Sequence, residues 1–532
     1  MVARRTTSAI SRRLFADSRT RNVTFALLFA FMAYVQPVAY RHSYATLAER
    51  AEFARSFGGN ASIRLFYGVP YDLLSVGGYT AWRVGGIVSI FAGVWGLLAA
   101  VRALRAEEDA GRQELVLAGV VTRRAALAAA LAAILAGGAL LWLAVLVGCV
   151  AGGLAVGDSA FLALAAVAPA AVFAGVGALA SQLAPTRRVA VELSVAALGV
   201  ALLVRIVADT ASGLGWVHWL TPLGWSEEMR AFADPRAWVL VLPVVATALL
   251  AGLAGWISLR RDVGSGLLRL RDRSTPRLRL LSSPIAQALR DERGSLAAWL
   301  AGIGVFAVVI GTLSHSFTNE NISSSLDEQL AKFGGASITT PSGALGFYFL
   351  FFVLATSLFA AAQIAALRRE EAEQRLETLF ALPVSRIGWL GGRLALAAAG
   401  ATLLALAAGV LSWAGAATQG GGVSLADMIA AGANCLPATA LFLALGALAF
   451  AAVPRAAAGI AYGLVAVAFV WELFGALLGA PTWTLKLSPF HAIGLVPAQP
   501  FDTVGAVVMV AIAAAATAGA LTVFRRRDLA GS

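Results

Sequence analysis

Two stretches of this 532-residue chain combine a density of charge with a spacing that could do chemical work. The first reads Glu107-Glu108-Asp-Ala-Gly-Arg112-Gln-Glu114 and runs on to Val121-Thr122-Arg123. The second, 263 positions later, reads Glu370-Glu371-Ala-Glu-Gln-Arg375-Leu-Glu377 and runs on to Pro383-Val384-Ser385-Arg386. Seven of 17 aligned positions match, and five of the seven are charges, which favours a shared role over the alternative of an ordinary interfacial loop. In each stretch a Glu precedes an Arg by four (Glu108 and Arg112, Glu371 and Arg375), the favourable order for an ion pair on a helix surface. Leu376, Leu379 and Phe380 recur at three- and four-residue spacing on one helical face, and Pro383 ends that helix. The spacing predicts a short amphipathic helix in each stretch that engages another surface by charge. Bond-making chemistry needs paired carboxylates, a nucleophile with its base, or clustered metal ligands; no such pattern occurs in the sequence, so neither a catalytic nor a metal site is expected.

Most of the rest of the chain is apolar. Apolar residues make up 59% of it, charged residues 13%, and the mean hydropathy is +0.79, far from the roughly 45–50% and 25% of soluble domains. Runs such as Ala125 to Val156 exceed the ~18 residues that cross a bilayer as a helix, and in lipid such runs must be helical. The pattern predicts an all-α integral membrane protein with twelve spans: 23–40, 84–101, 125–152, 159–182, 189–209 and 237–257, then 296–314, 344–367, 388–416, 428–452, 456–479 and 503–524. Both charged stretches then fall between the second and third span of a set of six. The basic stretch Met1 to Asn22 lacks a small-residue cleavage site after the apolar run that follows, and reads as the flank of a retained first span. With both termini cytoplasmic, 31 basic residues lie inside and eight outside, so the +12 net charge is a topology signal and nucleic acid is not an expected partner. Cys149 and Cys435 sit in apolar runs and offer no disulfide framework.

The charged stretch is one of four matches between the two halves. Phe57-Gly58-Gly59 pairs with Phe333-Gly334-Gly335, Leu220-Thr221-Pro222-Leu223 with Leu487-Ser488-Pro489-Phe490, and Arg260-Arg261-Asp262 with Arg526-Arg527-Asp528, all in order. Residues 1–262 and 263–532 are therefore expected to be two parallel six-helix repeats about a pseudo-twofold axis along the membrane normal. Amphipathic segments, 6–21 and 276–293, precede the first span of each repeat, suited to lying on membrane lipid at the inner leaflet.

Smaller constellations leave two readings each. Arg205 in the fifth span has Glu472 as its repeat mate in the eleventh. Intramembrane charges pair, so the two form a gate pair near the pseudo-dyad, or Arg205 snorkels outward to nearby Asp209. His42, His218, His315 and His491 all map to the outer side, as interface residues or as a pH-sensing or metal-binding set. Phe347, Tyr348, Phe351, Phe352 and Phe359 along the eighth span, with Phe91 and Trp95 in the second, suit an apolar substrate cavity or ordinary contact with lipid and helices. The outer segments 41–83 and 315–343 are each expected to hold an amphipathic helix before the Phe-Gly-Gly turn, as an external gate.

The charged stretch ending Leu382-Pro383-Val384-Ser385-Arg386, with Arg526-Arg527-Asp528-Leu529 after the last span, resembles the coupling loop and sixth-span ending of ABC-2-type exporter permeases. The double-length, Ala-rich form is similar to the tetronasin-type polyketide antibiotic exporters of that family. In the first copy Gly119-Val120 stands where the second has Leu382-Pro383. The resemblance implies export of amphipathic small molecules such as antibiotics from a bacterial cytoplasmic membrane. It also implies that ATP and Mg are held by two copies of a soluble ABC ATPase subunit, docked on Glu107, Glu108, Arg112, Glu114, Arg123, Glu370, Glu371, Arg375, Glu377, Pro383 and Arg386. A phosphate-cradling loop needs Gly-x-x-x-x-Gly-Lys-Ser/Thr. Lys332 is followed by Phe and Lys486 by Leu, so this chain is not expected to hydrolyse ATP itself. A twelve-span secondary transporter and a membrane-embedded lipid or sugar transferase are the competing readings.

Overall fold

The computed structural model describes residues 2–59, 61–119, 121–262, 264, 266–268, 284–314, 340–420, 422–474 and 481–528. Most of the outer segment 315–343, including His315, lies outside these residues, as do the first part of the connecting segment 276–293, the end of the span 456–479, and Leu529. Every described element is a helix, and the chain divides into two compact units, Met1–Ser274 and Thr275–Ser532.

Eleven helices are long and apolar enough to cross a membrane. A twelfth apolar helix, at the position of the expected eleventh span, is shorter: Ala457–Phe474. In the first unit, α1 (Val2–Asp17), which holds the expected amphipathic segment, precedes the span α2 (Arg19–Ser43). The helices α3 (Leu47–Phe57) and α4 (Ala61–Tyr67) lead to the long span α5 (Val76–Ala103), which continues through Leu104 into α6 (Arg105–Asp109). The short α7 (Arg112–Leu117) is followed by spans α8 (Arg123–Ala151), α9 (Val156–Leu183) and α10 (Arg187–Thr210), by α11 (Pro222–Glu228), and by span α12 (Val241–Arg260). The helix expected before Phe57-Gly58-Gly59 is α3; Thr46 and Glu49 cap its start reciprocally.

Small residues let these spans approach closely, as lipid-embedded helices require. Along the α5–α9 seam a Cβ on Gly96 would stand 2.1 Å from the carbonyl oxygen of Ala170, and one on Gly177 would stand 2.8 Å from that of Leu97. Phe29, Trp95, Leu141 and Val145 fill the core between α2, α5 and α8.

The second unit runs α13 (Pro284–Leu313), α14 (Pro341–Ala372), α15 (Arg375–Phe380), α16 (Arg386–Ala417), α17 (Leu425–Asn434), α18 (Leu436–Ala452), α19 (Ala457–Phe474), α20 (Thr482–Leu485) and α21 (Thr503–Arg526). Its glycines act alike: Gly311 and Gly415 bring α13 and α16 together, with no room for a Cβ on either. Both units start the helix before the charged stretch with a hydroxyl cap (Ser75, Thr340) and the helix after it with another (Thr122, Ser385).

Candidate functional site

The charged stretch is not a single helix. In unit one the second span ends at Asp109, and Gly111 turns the chain at φ 69°, a left-handed conformation that glycine adopts without strain. Unit two makes the same turn at Gln374, φ 58°, where a side chain costs roughly 1–2 kcal/mol. The break places residues 108 and 112, and likewise 371 and 375, on separate helices. The expected surface pairs Glu108–Arg112 and Glu371–Arg375 are consequently not made. Arg112 pairs with Glu107, and Arg375 with Glu373 at 2.8 Å.

Glu108 and Glu371 instead turn inward, 9% and 3% exposed. Glu108 binds Arg105 at 3.0 Å and also Arg261, the residue just past α12. Arg261 Nε donates to Gln182 of α9 at 2.8 Å, and Arg123, which opens α8, donates to the Arg261 carbonyl at 2.8 Å. In unit two Glu371 binds Arg527, just past α21, at 2.9 Å and Arg368 at 3.7 Å, and Arg386, which opens α16, donates to the Arg527 carbonyl. The same contacts thus recur with each member displaced by the repeat interval, and they connect two sequence matches that are far apart in the chain. A buried carboxylate is stable only when so paired.

Arg105, 1% exposed, is the hub of the first unit. Besides Glu108 it binds Asp109 at 2.9 Å, the Gly264 carbonyl at 3.0 Å and the Pro185 carbonyl. Asp109 in turn accepts from the backbone N–H of Arg187 at the start of α10, at 2.6 Å. One turn therefore ties together the ends of α5, α8, α9, α10 and α12. Outside the tie, Arg112, Glu114, Arg375, Glu377 and Pro383 are exposed, while Glu107 and Glu370 are half-buried. Glu370 is held by Arg393, which also binds Glu292 at 3.2 Å.

The two turns differ in their footing. In unit two Leu376 is buried, and Phe380 stands 5.9 Å from Trp389, which stacks on Phe524 at 5.6 Å. In unit one α7 has no buried residue, and Leu115 is 77% exposed.

At the opposite end of unit one lies a buried charge cluster for which the sequence gave only fragments. Arg205, fully buried, reaches Asp209 at 3.2 Å, also binds Glu227, and donates to the Gly86 carbonyl of α5 at 3.2 Å. His218 Nε2 lies 2.6 Å from Asp209, and its Nδ1 lies 3.3 Å from Glu228. Glu228 also takes Arg230, Arg236 and the Tyr71 hydroxyl, at 3.0–3.1 Å. Burial opposes charge on His218, but hydrogen bonds with Asp209 and Glu228 and the charge of Glu227 outweigh it and push its pKa up to about 10. Burial likewise opposes ionisation of Glu228, yet His218, Tyr71 and Arg230 bring it down to about 2. Glu227 is pushed up to about 8 by burial, with Arg205 opposing and Asp209 adding to the rise.

One ligand atom each from Asp209, His218 and Glu227 lie within 4.8 Å of one another, close enough to share a metal ion. The guanidinium of Arg205 already fills the cation's place between the two carboxylates. The Arg205–Asp209 spacing of four residues was a legible signal; Glu227, Glu228 and Tyr71 come from other elements and had none.

Arg205 and Glu472, expected either to pair or to be met locally, are both met locally: Glu472 binds His491 at 3.3 Å. The aromatic residues serve several ends. Trp95 is buried and donates to Asn22 at 3.1 Å, and Phe352 is buried against Phe306 and Phe349. Phe347 and Phe351 are half-buried, Phe351 beside Phe469, and Phe91 is exposed.

A bundle of apolar spans closed at one end by arginine–glutamate ties defines a polytopic α-helical membrane protein. The family described as the C-terminal domain of the multidrug efflux system permease Rv1217c matches residues 73–260 and 281–525. The multidrug efflux system permease protein Rv1217c of Mycobacterium tuberculosis (strain ATCC 25618 / H37Rv) is 32% identical over 511 residues, covering 94% of this chain and 91% of that protein. The chain belongs to this family of multidrug efflux permeases.

Proposed function

We propose that the chain is the permease subunit of an ATP-binding-cassette exporter that moves amphipathic small molecules, antibiotics among them, out of the cell. In this reading its twelve spans form two parallel repeats in a bacterial cytoplasmic membrane, with both termini cytoplasmic. Two copies of a soluble ATPase carry the ATP and Mg and dock beneath the two turns.

The observation that carries the reading is the duplicated tie of Glu108 to Arg261 and Glu371 to Arg527. A turn held this way cannot move without moving the spans bound to it, so a push on its exposed charges reaches the membrane. The name of the mycobacterial relative supplies the multidrug direction.

The structure divides the expected docking residues by task. Exposed Glu114 and Glu377 are placed to meet the partner; buried Glu108 and Glu371 are placed to transmit the push. In proteoliposomes with the partner ATPase, Glu114→Arg with Glu377→Arg abolishes copurification. Glu108→Gln with Glu371→Gln keeps copurification and lowers substrate-stimulated hydrolysis and efflux about 10-fold or more, the loss of two buried charge-assisted bonds. Full efflux in both double variants would falsify the coupling role.

A further inference from the structure

A cavity of about 320 Å³ opens at the tied end of unit one, between α1, α2, α5 and α8. Trp95 and Asn22, bonded to each other, stand at its inner wall. Four arginines and two carboxylates line it. Two of the arginines are matched: Arg112 binds Glu107, and Arg13 lies 3.6 Å from Asp17. Arg21 and Arg102 are left over. Arg102 reaches only the Asp17 carbonyl, at 3.5 Å, and the buried Nε of Arg21 makes no hydrogen bond among the described residues. A buried donor without an acceptor is destabilising, and two unmatched guanidiniums beside one cavity add repulsion.

The second unit handles the corresponding place differently. There Glu370, the repeat mate of Glu107, is bound by Arg393, which also takes Glu292. Carboxylate, guanidinium and carboxylate satisfy one another within that unit, whereas unit one leaves cationic donors facing an open space.

We propose that this cavity binds a phosphate group, with Arg21 and Arg102 as its clamp. Guanidinium forks match phosphate oxygens bidentately, and the volume lies in the range of ligand pockets. Leu14, Ala99 and Ile134 give the remaining wall an apolar surface. That composition suits the headgroup and glycerol of an anionic phospholipid; free phosphate shares the same chemistry. The inference does not depend on the ATPase partner.

The test is thermal stabilisation and native mass spectrometry of the full chain. The probes are dioctanoyl phosphatidylglycerol, dioctanoyl phosphatidylcholine, and inorganic phosphate against chloride at equal ionic strength. The expected result is phosphatidylglycerol bound at least about 10-fold more tightly than phosphatidylcholine, with the preference lost in Arg21→Gln/Arg102→Gln. Ala133→Leu fills the cavity while keeping both arginines, and it weakens binding to the same extent even if the arginine variant does not fold. Competition by inorganic phosphate assigns a soluble anion; its failure to compete assigns the lipid. Equal affinity for the two lipids without phosphate binding, or full affinity in Ala133→Leu, overturns the proposal.

Discussion

His218 shows how a single side chain can set the behaviour of its surroundings. Both ring nitrogens face carboxylates, Asp209 and Glu228, so the imidazolium, which donates from both, is the form that fits. Arg205 lies across Asp209 and Glu227, while Arg230, Arg236 and Tyr71 close on Glu228. His218→Leu leaves those acids short of a buried cation and should cost about 3–5 kcal/mol, read as a lower unfolding temperature of the solubilised protein. The pH response follows from the signs. The raised His218 pKa means that its contribution is complete below 6.5 and is lost as pH climbs through about 10. Raised Glu227 works in the same sense, its ionisation being a growing cost between 4.5 and about 8. Depressed Glu228 contributes above 4.5 and fails only as pH falls through about 2. The unfolding temperature should therefore be highest near pH 5–6 and fall toward pH 9, and His218→Leu should flatten that slope. A wild-type protein more stable at pH 9 than at pH 6 would contradict the assignment.

At the scale of elements, the two turns share a design and differ in anchorage. α15 rests Leu376 and Phe380 on Trp389 and Phe524, whereas α7 presents Leu115 outward. Leu376→Ala should cost about 2–5 kcal/mol, as truncation of a buried leucine does, and Leu115→Ala less than about 0.5 kcal/mol. Amide exchange should be faster across 112–119 than across 375–382 in the isolated permease, and the first segment should slow more when the ATPase binds. Equal protection before binding would show that both turns are equally held. Much of this was readable from sequence. Hydropathy marked the spans, since few soluble alternatives tolerate such runs, and the charged repeat marked the turn. The inward aim of Glu108 and Glu371 was not readable, because it depends on a helix break. Gly111 hinted at that break; Gln374 in a left-handed conformation did not. Nor could a pattern search find the His218 cluster, whose members gather from a loop, a span end and α11 only after folding.

Across unit one as a whole, α5 joins the two charge clusters. Its Gly86 carbonyl receives Arg205 at one end, and Arg105, which continues the same helix line, gathers the tie at the other. Nineteen residues at 1.5 Å per residue separate them by about 28 Å, close to the thickness of a hydrocarbon core. Between these points α5 is seated on α9 through glycines with no space for a side chain, Gly96 above all. A helix clamped at both ends and seated closely along its length moves as one rod, so displacement at the turn should appear at the His218 cluster rather than dissipate as bending. Gly96→Val tests this without touching either cluster: its Cβ would meet the Ala170 carbonyl oxygen at 2.1 Å and force α5 off α9. The ATPase should still copurify and keep its basal hydrolysis, since the turn's exposed charges are unchanged. Stimulation by substrate and efflux should both fall about 10-fold or more. If efflux persisted at the wild-type rate in a folded Gly96→Val protein, the two ends would have to communicate through another span, with α10, which runs from Arg187 to the Arg205 cluster, the next to examine.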